Sequence, residues 1–252
     1  MSGAEDKLFR LSKSMIAAYE HCPKRLWLQI HRRDAGKFDK KTLMWFRFGH
    51  DVGRKARFAL EDGVLVDTGF DMPAAIARTK ELIAAPQRRP IFEATFQHEG
   101  VLIRADILLP DEGGTWRVVE VKASSRPKAY QYADVATQVW TIANSGVEVS
   151  RAVIRHVANP ICWRRPDIAA VTFRDADVSA PVRRALRTRA ATAVAARQAV
   201  LGTEPQRPIG MHCYRPFACE FRDHCRAAAN IPPLKSPPKQ VARRCGSGET
   251  ST

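Results

Sequence analysis

At 252 residues and 45% hydrophobic content, the chain can bury a real core and is short enough that one main domain is the default. It has no apolar run long enough to span a bilayer, and its N-terminus lacks the order of a secretory signal, so no membrane partner and a cytoplasmic location are expected. The formal net charge of +15 points to a polyanionic partner, because Lys and Arg gain affinity by displacing counterions from phosphates; residues 231–252 hold only +3 of it, and the plainer reading is that a basic pI serves solubility.

In chain order, residues 1–10 read as a flexible start, and Leu11-Ser12-Lys13-Ser14 offers a cap for a short helix towards Tyr19. His21-Cys22-Pro23 ends it, and Pro23 suits the first turn of a second helix over Lys24–Leu28. Residues 32–41 read as a loop, after which Thr42 can cap a longer helix to Leu60 carrying His50 between Gly49 and Gly53. Asp71 and Pro73 open another helix that stops before Pro86. The pattern then changes to period two: Ile91–Gln97, Val101–Leu109 and Trp116–Lys122 form an antiparallel meander. Tyr130–Asn144 reads as a helix with Asp134 and Gln138 on one face, and Ala152–Val157 and Ile168–Phe173 as short strands. Pro181–Leu201 reads as one helix with five arginines and no acid, either a solvated face or a phosphate-tracking surface. Residues 231–252 have the Pro, Ser and Lys composition of a disordered basic tail.

The chemistry concentrates in the meander. A five-residue turn that sets Pro110 opposite Trp116 brings Asp106 opposite Glu120, with Lys122 projecting from the same strand face as Glu120. Opposed carboxylates in a sheet are destabilising unless neutralised, and a divalent metal such as Mg2+ or Mn2+ suits hard oxygen ligands. A metal that activates water, beside a lysine, suits phosphodiester hydrolysis. Polar positions on an exposed strand face are the alternative. Against it, the neighbours Val101, Ile103, Ile107, Leu108, Val118, Val119 and Val121 are apolar, and buried charges are costly unless paired or metal-bound.

Ala105-Asp106 followed by Glu120-Val121-Lys122 resembles the motif of the PD-(D/E)XK nuclease superfamily, without the proline that often precedes its aspartate. The resemblance extends to the RecB-like branch, with its CRISPR-associated exonucleases and AddB-type helicase-nucleases. It implies a restriction-endonuclease-like α/β fold, a mixed central sheet flanked by helices. It also implies one or two Mg or Mn ions held by His50, Asp106, Glu120 and the Val121 carbonyl, with Asp106, Glu120 and Lys122 catalytic. The downstream Q-x3-Y motif of that branch is matched only by Gln138, since position 142 is Ile. Glu93 and Gln138 are possible auxiliary groups.

Cys213, Cys219 and Cys225 are spaced C-x5-C-x5-C, and Cys22 is the natural fourth ligand. Outside secretory compartments such a set points to metal binding rather than disulfides. The one-plus-three layout resembles the 4Fe-4S cluster of RecB-like nucleases, which staples the N- and C-terminal segments together. Structural Zn2+ is the alternative, though zinc sites favour shorter C-x2-4-C clips. His212 and His224 could replace a cysteine, but four cysteines suffice. Cys162 and Cys245 carry no partner pattern. The string from Leu11 through Cys22-Pro23-Lys24-Arg25-Leu26-Trp27-Leu28 to Ile209-Gly210-Met211-His212-Cys213 also looks like a bacterial nuclease family of unassigned function. In its longer members a second C-terminal domain follows, so this chain reads as a stand-alone or truncated version.

The expectation is therefore a RecB-like nuclease domain over residues 11–230 acting as a Mg/Mn-dependent exonuclease on single-stranded DNA ends. The alternative is a non-catalytic iron-sulfur nucleic-acid-binding subunit of a repair or defence complex.

Overall fold

The computed structural model describes residues 10–159 and 167–232. Residues 1–9, Cys162, Cys245 and the expected tail beyond residue 232 lie outside the described residues. In chain order the elements are β1 (Leu11–Ser12), α1 (Lys13–His21), α2 (Pro23–His31), α3 (Lys40–Phe58), β2 (Val64–Leu65), α4 (Met72–Ala84), β3 (Ile91–His98), β4 (Val101–Pro110), β5 (Trp116–Lys122), α5 (Ala129–Asn144), β6 (Val149–Val157), β7 (Phe173–Asp177), α6 (Ser179–Leu186), α7 (Arg189–Leu201) and α8 (Arg222–Ala228).

Local chemistry explains most boundaries. Ser12 caps α1 by accepting from the Met15 N–H, and Asp71 caps α4 by accepting from Ala74, each filling one of the free donors of a helix start. Pro23 sits in the first turn of α2, with Cys22 extended between the two helices. Three boundaries differ from the sequence reading. Asp39, not Thr42, caps α3: its carboxylate accepts from the Thr42 N–H at 2.6 Å. The strand expected at Ile168–Phe173 begins only at Phe173, where its ladder with Val157 starts. The single arginine-rich helix is two, broken at Arg187–Thr188. Buried Arg189 bonds Glu20 of α1 at 2.6 Å there, so an apparently unopposed cation has its acid on another helix. Arg197 likewise donates to the Glu99 carbonyl, leaving Arg183, Arg184 and Arg187 as the exposed arginines of the pair.

The strands form one mixed sheet in the order β2-β3-β4-β5-β6-β7, with β1 added alongside β4. β3, β4 and β5 are the expected antiparallel meander, β6 runs parallel to β5 after the α5 crossover, and β7 is antiparallel to β6. Helices cover both faces. On one face α1, α4, α5, α6 and α7 bury a core around Ile16, Ile103, Val118, Ile142 and Ile154. On the other, α3 lays Phe48, Val52 and Ala56 over Phe92, Ile107, Val119 and Val157. Alternation along the strands divides the two sets. Among the described residues no helix is long and apolar enough to cross a membrane.

Two irregularities in β3 and β4 create the site. First, β1 pairs with Val101 and Leu102 of β4, while β5 pairs with residues 107 to 110. Residues 103–106 therefore lie in a fork between β1 and β5. Second, the core-facing parity switches in both strands: Ile91 and Ala94 face the main core with Phe92 opposite, and Ala105 and Leu108 face it with Ile107 opposite. The switch falls at Glu93, which has φ +57°, and at Asp106, between the pairs Phe92↔Ile107 and Ala94↔Ala105. Such a backbone for a non-glycine residue costs about 1–3 kcal/mol and concentrates at functional sites.

Candidate functional site

The β4–β5 ladder runs from Pro110↔Trp116 to Ile107↔Val119, the register taken from the sequence. One step further the ladder opens, and the Asp106 carboxylate takes the Val121 N–H at 2.7 Å. Glu120 is 2% exposed and sits at the centre of the fork. Lys122, two residues on, meets it at 2.7 Å and meets Asp134 of α5 at 3.0 Å. Gln138, one turn beyond Asp134 and fully buried, donates to Glu120 at 2.8 Å. From the other side Lys13, the first residue of α1, donates to both Glu120 oxygens at 3.0 and 2.9 Å.

Lys13 and Asp134 are the members that the sequence reading did not place here. Lys13 is 107 positions from Glu120, and only the β1–β4 pairing that fixes the start of α1 brings it in. The signal available beforehand was a lysine at the first position of a helix, where the helix dipole disfavours a cation. Asp134 was legible only as the neighbour of Gln138 on one helix face.

The two carboxylates are driven apart in acidity. Burial, reinforced by the Glu120 charge, raises the Asp106 pKa to about 7, against the pull of Lys13, Lys122 and the Val121 N–H. Burial also opposes the charge on Glu120, but there Lys122 and Lys13 win and hold the carboxyl below the usual carboxylate range. Burial, the largest single influence, would discharge both lysines; Glu120 together with Asp134 at Lys122, and together with Asp106 at Lys13, outweighs it and raises their pKa values. The fork thus holds a fixed carboxylate, a carboxyl that can change its proton, and two fixed ammoniums. A pair of acids separated in this way is a common arrangement for proton and metal chemistry.

His50, Glu93, Asp106, Glu120, Val121 and Lys122 all line one cleft of about 640 Å³ between α3 and the fork. It therefore brings together the expected residues except Gln138, which lies behind Glu120. His50 is exposed on the rim. Glu93 is occupied by Arg57 at 2.6 Å and lies 4.0 Å from Arg104. Gly49 and Gly53 face the same cleft, and a Cβ on either would meet open space. Ile142, where the Q-x3-Y motif has its Tyr, is buried in the main core. Among the described residues no group of three or more His, Cys, Asp and Glu side chains is gathered closely enough to hold a metal ion.

Cys22, Cys213, Cys219 and Cys225 are free thiols that line one small cavity between α1, α2 and the C-terminal segment. Burial pushes the Cys219 thiol up to about 11 and raises Cys225 as well. The segment has other fasteners. Glu220, buried, accepts from Arg25 at 2.9 Å and Gln29 at 2.6 Å. Trp27 donates to the Gly202 carbonyl, and His21 bonds the His212 carbonyl.

No family model matches the chain, and no curated protein matches it. Among solved structures it is similar to the crystal structure of SSO0001, at 11% identity and a TM-score of 0.38, over 86% of this chain and 85% of that one. A likeness at that level carries no argument about fold family or activity.

Proposed function

We propose that this chain is a metal-dependent nuclease of the PD-(D/E)XK superfamily, in its RecB-like branch, with a restriction-endonuclease-like fold. It hydrolyses phosphodiester bonds, acting as an exonuclease on single-stranded DNA ends. The observation that carries this reading is the convergence of His50, Asp106, Glu120, Val121 and Lys122 on one cleft.

The donors fit a divalent cation in kind, since carboxylate and carbonyl oxygens are what Mg2+ and Mn2+ take. Asp106, the Val121 carbonyl and His50 would hold it, joined by Glu120 where one of its bonds yields. Such an ion supplies Lewis acidity and neutralises charge at a phosphodiester. Lys122, kept charged between Glu120 and Asp134, places its ammonium at the cleft to meet the negative charge that develops on the phosphoryl oxygens. A cation held there would take the place of a proton on Asp106, because a carboxylate rather than a carboxylic acid is the ligand.

The surface beside the cleft supports a nucleic-acid substrate. α3 carries Lys40, Lys41, Arg47, Arg54, Lys55 and Arg57 against one acid, Asp51. Phe46, 48% exposed, stands on the same wall as His50 and Arg54. Cations interleaved with an exposed aromatic suit an unpaired strand, whose backbone needs charge and whose bases stack.

For the four cysteines we take a 4Fe-4S cluster as the occupant. Their number and shared cavity suit tetrathiolate ligation. The wide C-x5-C-x5-C spacing fits poorly with the shorter clips that structural zinc sites favour. Anaerobically purified protein should carry iron and sulfide; zinc in their place would refute this part alone.

The decisive experiment is cleavage of end-labelled single-stranded DNA with Mn2+. Lys122→Ala should lower the rate about 100- to 1,000-fold, as expected for removing one group that stabilises transition-state charge. Activity that survives the substitution would overturn the site. Binding without cleavage by the intact chain would instead favour a non-catalytic nucleic-acid-binding subunit.

A further inference from the structure

We infer that Lys13 occupies the place of a second cation at the fork, so that the site takes a single divalent ion. This rests on reading the cleft as a metal-dependent phosphodiesterase site.

A carboxylate offers about four lone-pair positions, and those of Glu120 are filled. Oε1 meets Lys13 at 3.0 Å and Lys122 at 2.7 Å; Oε2 meets Lys13 at 2.9 Å and Gln138 at 2.8 Å. Lys122 is additionally tied to Asp134, and Gln138 is anchored in a buried helix. Lys13 bonds no other side chain among the described residues and retains 20% side-chain exposure. It fills two of the four positions and can leave most readily. Asp106 is different: Oδ2 takes the Val121 N–H, and no hydrogen bond to Oδ1 is present among the described residues. The free coordinating capacity of the pair therefore lies on Asp106.

Charge leads to the same count. Asp106, Glu120 and Asp134 face Lys13 and Lys122, which leaves one net negative charge when all three acids are ionised. One divalent ion turns this to one positive charge, and a phosphodiester, with one negative charge, brings the site to neutrality. A second divalent ion would leave two uncompensated positive charges at a largely buried centre, which a low-dielectric site penalises heavily. The position of Lys13 fits this role. A cation at the first residue of a helix opposes the helix dipole, so its ammonium serves the contact with Glu120 rather than α1.

The test is Mn2+ binding to the full chain after chelation and desalting, without nucleic acid, measured by calorimetry and by paramagnetic resonance of free Mn2+. Asp106→Asn marks which binding belongs to the fork and which to the cysteines. Wild type should bind one Asp106-dependent ion. Lys13→Ala should admit a second, and Lys13→Arg, which keeps the cation, should remain at one. Two Asp106-dependent ions in wild type would overturn the proposal while leaving the metal reading intact. So would folded Lys13→Ala that still binds one ion, whatever its affinity. No Asp106-dependent binding at all would remove the metal reading and this proposal with it. The wild-type count decides even if Lys13→Ala does not fold.

Discussion

The fork and the cysteine cavity are both convergent clusters built from distant parts of the chain, yet they are completed differently. At the fork every buried charge already has a partner from the chain itself: Glu120 has Lys13, Lys122 and Gln138, and Lys122 has Asp134. At the cavity the thiols converge, and burial raises the pKa values of Cys219 and Cys225, with the nearby Lys24 too weak to reverse it at Cys225. The fork is largely paired within the chain, so a ligand at Glu120 must displace one of its partners. The cavity becomes a charged ligand set only when something binds there, because thiolates, not thiols, are ligands.

The largest test of this contrast is Glu120→Leu, which leaves Lys13 without its partner and Lys122 with Asp134 alone. It should lower stability by about 3–5 kcal/mol, read as a shift of the urea midpoint. A loss under about 1 kcal/mol would mean that Lys13 reaches water and does not depend on Glu120. The wall beside the fork is probed by Phe46→Ala. In chelated protein, where the proposed metal-dependent cleavage cannot proceed, it should weaken single-stranded DNA binding by about 1–3 kcal/mol, roughly 5- to 150-fold, with no change in duplex binding; equal effects on both would deny stacking.

The pH response of chelated protein gives a smaller effect, at most about 1.4 kcal/mol per pH unit for one proton. Asp106 has a folded pKa raised above its ordinary 3.8 to about 7, so the native chain binds the extra proton in that window and stability falls as pH rises through it. Glu120 has a folded pKa lowered from 4.5, so its contribution is present above that value and lost as pH falls. His21 and His212, whose pKa values burial lowers, act in the opposite sense, so the contribution of Asp106 is read against Asp106→Asn: chelated wild type should gain less, or lose more, stability between pH 5 and pH 8 than the variant, and Mn2+ should raise the wild-type melting temperature more at pH 8 than at pH 5. An identical pH response in both chelated proteins would contradict the raised pKa of Asp106. The smallest effect is Cys22→Ala in chelated protein, about 1 kcal/mol for a small buried side chain, because Glu220, Trp27 and His21 hold the same seam. The loss should be several times larger in protein purified anaerobically without chelation. Equal losses in both would mean the cavity needs no occupant.

Much of this was legible from residue order. The meander and its register followed from period-two patterning and a five-residue turn, because hairpin geometry is local. Caps at Ser12 and Asp71 and the break at Pro23 were readable for the same reason. The arginine-rich helix was less so: its break at Arg187–Thr188 carries no glycine or proline signal, and the Glu20 partner of Arg189 lies far away in sequence.

The sequence by itself determined which strand-borne charges are neighbours, since alternation and spacing place Asp106, Glu120 and Lys122 on adjoining strands whatever surrounds them. Tertiary structure decided their electrical state. Lys13 reaches Glu120 only through the parallel pairing of β1 with β4, Asp134 and Gln138 only through the packing of α5 on the sheet, and the positive φ of Glu93 falls where both β3 and β4 switch core-facing parity. Burial and partnership are properties of the assembled fork, and they separate a carboxyl that can exchange its proton from one that cannot.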